Sequence, residues 1–202
     1  MLSLLLVIIY LAFISLGLPD SLLGSSWPVI YRELAVPVSY AGIISMIIAV
    51  GTVISSLQSD RLTRKLGAGK VTAISVGITA LALLGFSVSH SFLLLCLWAI
   101  PYGLGAGSVD AALNNYVALH YASRHMSWLH CMWGVGASLG PAIMSWALVG
   151  GRGWNAGYRT IALLQVALTA VLTASLPLWR RRSSGSSGAA GEASGKALPL
   201  KE

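Results

Sequence analysis

The sequence predicts an all-α membrane protein whose six transmembrane helices form two inverted three-helix repeats. Three observations predict it. Hydrophobic residues make up 56 % of the 202 residues and charged residues only 9 %, against about a quarter charged in a soluble domain, and the mean hydropathy is +0.78. The apolar residues fall into six windows of about 20, the length that crosses a bilayer as a helix. Finally, "GLPDSLL" at 17–23 and "GSVDAAL" at 107–113 share the pattern G-x-x-D-x-x-L, and each aspartate is followed eleven residues later by a tyrosine, Tyr31 or Tyr121. A repeat of three spans must invert its topology, because three is odd. Inverted repeats place a binding site at the repeat interface in many membrane transporters.

The spans are expected near 3–26, 39–58, 71–89, 92–118, 127–149 and 158–179. The opening "MLSLLLVIIYLAFISLGLP" has neither a basic n-region nor an A-x-A-like cleavage site, so it reads as a retained first span and not a cleaved signal peptide. Pro19 precedes Asp20 and marks a candidate kink. The connections are "WPVIYRELAVPV", "SDRLTRKLGAGK", a minimal turn at "HS", "LHYASRHM" and "GGRGWNAG". Trp27, Trp128, Trp154 and Trp179 fall near span ends, the placement of an interfacial aromatic belt. Cys96 and Cys131 both lie in apolar segments and read as buried free thiols. The bundle is expected over 1–180; the stretch 181–202, basic and then Ser/Gly/Ala-rich, reads as a flexible cytoplasmic linker or tail.

A net charge of +7 in a soluble protein would point to nucleic acid. Here the basic residues sit at the ends of apolar runs, so the partner is the lipid bilayer and no nucleic acid is expected. Arg61, Arg64, Lys65, Lys70, Arg124, Arg180, Arg181 and Arg182 lie on one side; Arg32, Arg152 and Arg159 lie on the other. The positive-inside rule puts the richer side, and both termini, in the cytoplasm of a cell-membrane protein.

A charge inside a span is expensive and almost always faces a cavity or a partner. Asp110 and Asp20 are therefore the candidate proton-coupling residues, since a desolvated carboxyl suits reversible protonation. Asn114 follows Asp110 by four residues and shares its helical face, where it can meet a solute hydroxyl. Trp133 is a platform for stacking on a sugar ring, and His130 and Gln165 are further candidates for solute contact. Each has a plainer reading: aspartates as caps of a broken helix, His130 at an interface, Trp133 and Gln165 in helix packing. The glycines of "GLGAGSVD" lack the Lys-Ser/Thr of a phosphate loop, and "LGAGSVD" lacks the nucleophile elbow. His130 with Ser108 is the one nearby pair for an intramembrane serine protease, and no known signature surrounds either. No catalytic residue, cofactor or metal is expected.

"SDRLTRKLG" at 59–67 resembles the cytoplasmic signature G-x-x-x-D-R-x-G-R-K of the major facilitator superfamily. Asp60, Arg61, Arg64 and Lys65 match in place, while Ser56 and Thr63 replace its glycines. "SWLHCMWGVGASLGP" at 127–141, with the Asp110–Asn114 step and Asp20 in the first span, resembles the fucose/glucose-type sugar symporters of that superfamily. The resemblance implies half of a major facilitator fold, with Asp60 and Arg61 in a charge network that gates the cytoplasmic side. It implies secondary transport of a small polar solute such as a sugar, coupled to protons, and no enzyme activity. Family members have twelve spans in two halves, so the chain is expected to act as the N-terminal half. Its partner would be a second six-helix half, in the same chain or as a dimer mate. The alternative expectation is a degenerate half that transports nothing.

Overall fold

The computed structural model describes residues 4–179; the expected tail over 181–202 and the basic run 180–182 lie outside them. Seven helices are present among the described residues: α1 (Leu4–Asp20), α2 (Leu22–Glu33), α3 (Tyr40–Leu66), α4 (Ala68–Ser87), α5 (Phe92–His120), α6 (Arg124–Val149) and α7 (Gly153–Ala174). The described residues contain no strand. With α1 and α2 taken together, six segments are long and apolar enough to cross a membrane.

The first two spans overrun their apolar windows furthest. The first span continues through "WPVIYRE" to Glu33, and Pro28 sits inside α2, where it removes the N–H that the Gly24 carbonyl would otherwise accept. The expected loop "SDRLTRKLGAGK" is almost wholly helical. α3 runs to Leu66 and α4 starts at Ala68, with only Gly67 between them. Gly67 has φ +83°, a conformation in which any Cβ is strained. The turn thus falls to Gly67, while Ser56 and Thr63, which replace the signature's glycines, lie within α3.

The helices alternate in direction. One end gathers Gly67, Lys70, His120 and Trp179 around one pocket, and Tyr10 near the start of α1 meets His125 of α6 there, Oη to Nδ1 at 2.8 Å. At the other end Trp154 Nε1 donates to Glu33 Oε2 at 2.6 Å, Asn155 Nδ2 donates to the Ser87 carbonyl at 3.0 Å, and Tyr40 packs on Phe92. Tyr31 and Tyr121 accordingly sit at opposite ends, as inverted repeats require. Two apolar clusters fill the bundle: one around Phe13, Leu113 and Leu129, the other around Leu22, Leu95, Met144 and Trp154.

Helix pairing follows the same symmetry. α1 packs along α6 and α5 along α3, and these are repeat-equivalent pairs. Each contact uses small residues to bring backbones together. Gly17 lies against the backbone at Trp133 and Ala137, Gly136 against that at Ile14 and Leu18, and Gly107 against the Thr52 carbonyl. On α3 the hydroxyls of Thr52, Ser56 and Ser59 donate to the carbonyls of Gly103, Gly107 and Ser108 on α5, at 3.2–3.3 Å.

Two sequence expectations change. Cys96 is partly buried, but Cys131 is exposed, because α6 buries few of its residues. Of the four tryptophans expected in an interfacial belt, only Trp128 is exposed; Trp27, Trp154 and Trp179 are buried. Trp27 Nε1 donates to the Val38 carbonyl at 2.7 Å, so it closes the α2–α3 connection from within.

The close α3–α5 contact has a direct test. A Cβ on Gly107 would meet the Thr52 carbonyl and the Ser55 and Ser56 hydroxyls, whereas one on Gly134 would meet nothing. Gly107→Ala should lower stability by about 1–3 kcal/mol, read from thermal unfolding in detergent, while Gly134→Ala should be neutral or slightly stabilising.

Candidate functional site

Pro19 shapes the first span. Having no N–H, it leaves the carbonyl four residues back, that of Ser15, without an intrahelical donor. Gln165 of α7 supplies one: Nε2 donates to the Ser15 carbonyl at 2.9 Å, and Oε1 accepts from Thr79 Oγ1 of α4 at 2.9 Å. Pro141 does the same to Ala137 in α6, and there Ser21 Oγ of the first span donates to the orphaned carbonyl at 2.8 Å. Ser21 is the single residue between α1 and α2. The helix is broken directly after Asp20, and the break is tied to α6.

Beside it lies a cavity of about 340 Å³, lined by Leu16, Asp20, Ile48, Thr52, Tyr102, Ala106, Asp110, His130 and Trp133. Its size falls within the range of small-molecule sites. It sits where the two apolar clusters meet, with Leu16 from one and Tyr102 from the other. Both repeat aspartates therefore reach one wall. Trp133 Nε1 donates to Asp20 Oδ2 at 2.8 Å, and Tyr102 Oη donates to Oδ1 at 3.1 Å. Asn114 Nδ2 donates to Asp110 Oδ1 at 3.0 Å, as the four-residue step predicts. His130 of α6 packs edge-on against Phe13 and lies within electrostatic reach of Asp110. The wall thus offers two carboxylates, an imidazole, an indole, a phenol and the Thr52 hydroxyl. That set can hold a polar solute by hydrogen bonds and stacking, and can take up a proton. Among the described residues no group of three or more His, Cys, Asp and Glu could hold a metal.

The structure brings Asp20, Asp110, His130 and Trp133 together, with Asn114 behind Asp110. It does not bring Gln165 to them. Gln165 is 1 % exposed and is fully engaged in serving the carbonyl that Pro19 frees, a correction to its reading as a solute contact. Tyr102 and Thr52 are the polar members that the sequence did not announce; an aromatic and a threonine inside apolar spans carry no periodic or charge signal. Ser108 faces an outer groove with Ser55 and Ser75, so it and His130 form no nucleophile–base pair. Asp60, Arg61, Arg64 and Lys65 stand exposed on the last turns of α3. Asp60 and Arg64 pair one helical turn apart; such exposed pairs contribute little.

The profile of the Major Facilitator Superfamily matches residues 9–202. The chain belongs to this superfamily. With its six apolar helices, it is a multi-pass membrane protein. The chain is 29 % identical over 122 residues to the uncharacterized transporter y4wD of Sinorhizobium fredii, covering 59 % of this chain and 32 % of that protein. It is 24 % identical over 152 residues to synaptic vesicle glycoprotein 2B of Rattus norvegicus, covering 73 % of this chain and 22 % of that protein. The human glycoprotein 2B gives 24 % over 149 residues, again 22 % of its length. The match thus spans about a third or less of each of these relatives.

Gln165 as a tether makes its own prediction. Gln165→Leu leaves a buried carbonyl without a donor and should destabilise the chain by about 1–3 kcal/mol. Pro19→Ala, which restores the N–H, should recover part of that loss in a double-mutant cycle of thermal unfolding.

Proposed function

We propose that the chain is one six-helix half of a secondary transporter that moves a small polar solute, a sugar fitting best, together with protons. The observation that carries this reading is the single cavity wall that holds both repeat aspartates beside Trp133 and His130. A sugar presents hydroxyls to carboxylates and a flat apolar face to an indole, and the wall supplies both kinds of partner. It bears no Lys or Arg, so an anionic solute would find no cation there. The likeness to a bacterial transporter supports transport in general, and the motifs of α5 and α6 support the sugar symporter branch.

Alternating access would be a rocking of this bundle against a second six-helix half. α3 and α6 are the natural faces for it, since only 17 % and 22 % of their most apolar windows are buried within this bundle. Among the described residues, Arg61, Arg64, Lys65, Lys70 and Arg124 cluster at one end, against Arg32, Arg152 and Arg159 at the other. The richer end faces the cytoplasm of the plasma membrane on this reading, and both termini lie on that side. Asp60 and Arg61 would then stand at the cytoplasmic gate.

Replacing Asp110 by Asn should abolish proton-driven solute uptake by the assembled transporter in vesicles while sparing solute exchange, which needs no net proton movement. Uptake at the wild-type rate in that variant would remove Asp110 from the coupling. Uptake by this chain without a second half would remove the two-half assembly, and none with one would favour a half that transports nothing.

A further inference from the structure

The two aspartates come from equivalent places in the repeat, yet their surroundings differ. Asp20 has both oxygens engaged, one by Tyr102 of α5 and one by Trp133 of α6. Both bonds are charge-assisted while Asp20 is ionised, and such bonds are roughly twice as strong as neutral ones. A proton on Asp20 can point into the cavity, but it removes the charge that both donors hold and so weakens the two bonds together. Tyr102 is 5 % exposed and lies edge-on to Phe86 at 6.5 Å, and a buried hydroxyl that loses its acceptor is costly. Protonating Asp20 therefore disturbs a contact joining three helices at the break in the first span.

Asp110 is held by one bond, from a residue of its own helix. Its second oxygen accepts nothing among the described residues, and Asp110 lines the cavity. The Asn114 amide carries a donor and an acceptor at one end, and its Oδ1 is buried with no hydrogen-bond partner. A half turn of that amide exchanges Nδ2 for Oδ1 and presents an acceptor to a protonated Asp110. The change stays within one helical turn of α5. The titratable groups that face Asp110 are His130 of α6, Asp20 of α1 and Tyr102 of α5; α3 adds Ile48 and Thr52, which do not titrate. The one charged residue of α4, Lys70, lies at that helix's N-terminal end, away from the cavity.

We propose that the two aspartates divide the work of the cavity: Asp110 with Asn114 takes up and releases the proton, and Asp20 is a fixed acceptor locked by Trp133 and Tyr102. The proton passes from cavity water to the free oxygen of Asp110 and returns the same way. Tyr102 is a positioning residue, acting through Asp20. This assignment rests on reading the cavity as a solute-and-proton site, and its test needs no solute.

The test is infrared difference spectroscopy of the chain in lipid vesicles between alkaline and mildly acidic buffer, following the carbonyl stretch of protonated carboxyls. The wild type should show a band that Asp110→Asn removes, Asn114→Leu shifts, and Asp20→Asn leaves unchanged. The double variant Tyr102→Phe, Trp133→Phe should gain a second band, removed in turn by adding Asp20→Asn. A merely structural role for Tyr102 would not move that signal. Unchanged circular dichroism in each variant confirms folding, and the single isosteric Asp→Asn changes carry the test if the double variant unfolds. Loss of the wild-type band in Asp20→Asn, or its survival in Asp110→Asn, overturns the division. Failure of solute uptake with the bands as expected would overturn the transport reading and leave the division standing.

Discussion

Inside a bilayer a backbone carbonyl that loses its helical donor cannot turn to water, so another protein group must supply one. Four prolines lie inside the seven described helices, and at two of them, Pro19 in α1 and Pro141 in α6, a side chain of another helix answers the need and helps organise the molecule. Gln165 reaches across from α7 to the Ser15 carbonyl and holds Thr79 of α4 with its other end. Ser21 reaches from the broken first span to the Ala137 carbonyl. The same bonds that repair the helices fix where they cross. The break that places Asp20 on the cavity wall is thus a held geometry, tied on both sides.

Packing then decides where space is left. Close approach at Gly17, Gly136 and Gly107 draws α1 to α6 and α5 to α3, and the two apolar clusters fill the ends of the bundle. Between them the wall is polar: aspartates, a histidine, an indole and a phenol in place of leucines. A buried carboxylate surrounded only by hydrocarbon would be intolerable. Here Asp20 and Asp110 each have at least one donor, and both face an opening. The polar set is concentrated at the depth where the helices are already interrupted.

Most of the fold was legible because hydrophobic windows are signals that average over many residues. The inverted repeat was legible from a seven-residue pattern, and the structure places its two aspartates on one wall. The four-residue step from Asp110 to Asn114 translated directly into a hydrogen bond. The losses have physical causes. Helix ends were missed because hydropathy marks the apolar window and not the backbone: "SDRLTRK" is polar and still helical. Gln165 kept two readings because a polar residue in a span looks the same whether it serves a solute or an orphaned carbonyl, and only the pairing with Pro19, far away in sequence, distinguishes them. Tyr102 was missed because its role depends on a neighbour 82 residues distant.

The ladder between α3 and α5 has an evolutionary corollary. Its donors are side chains, those of Thr52, Ser56 and Ser59, but its acceptors are main-chain carbonyls. Every residue has a carbonyl, so the α5 side of the seam constrains only bulk, through Gly103 and Gly107. The α3 side constrains chemistry, because only a short hydroxyl reaches across. Substitutions should therefore drift differently on the two helices: α3 is free to exchange serine for threonine, and α5 is held to small residues whatever their polarity. Register between the two helices is written on one of them and merely permitted by the other.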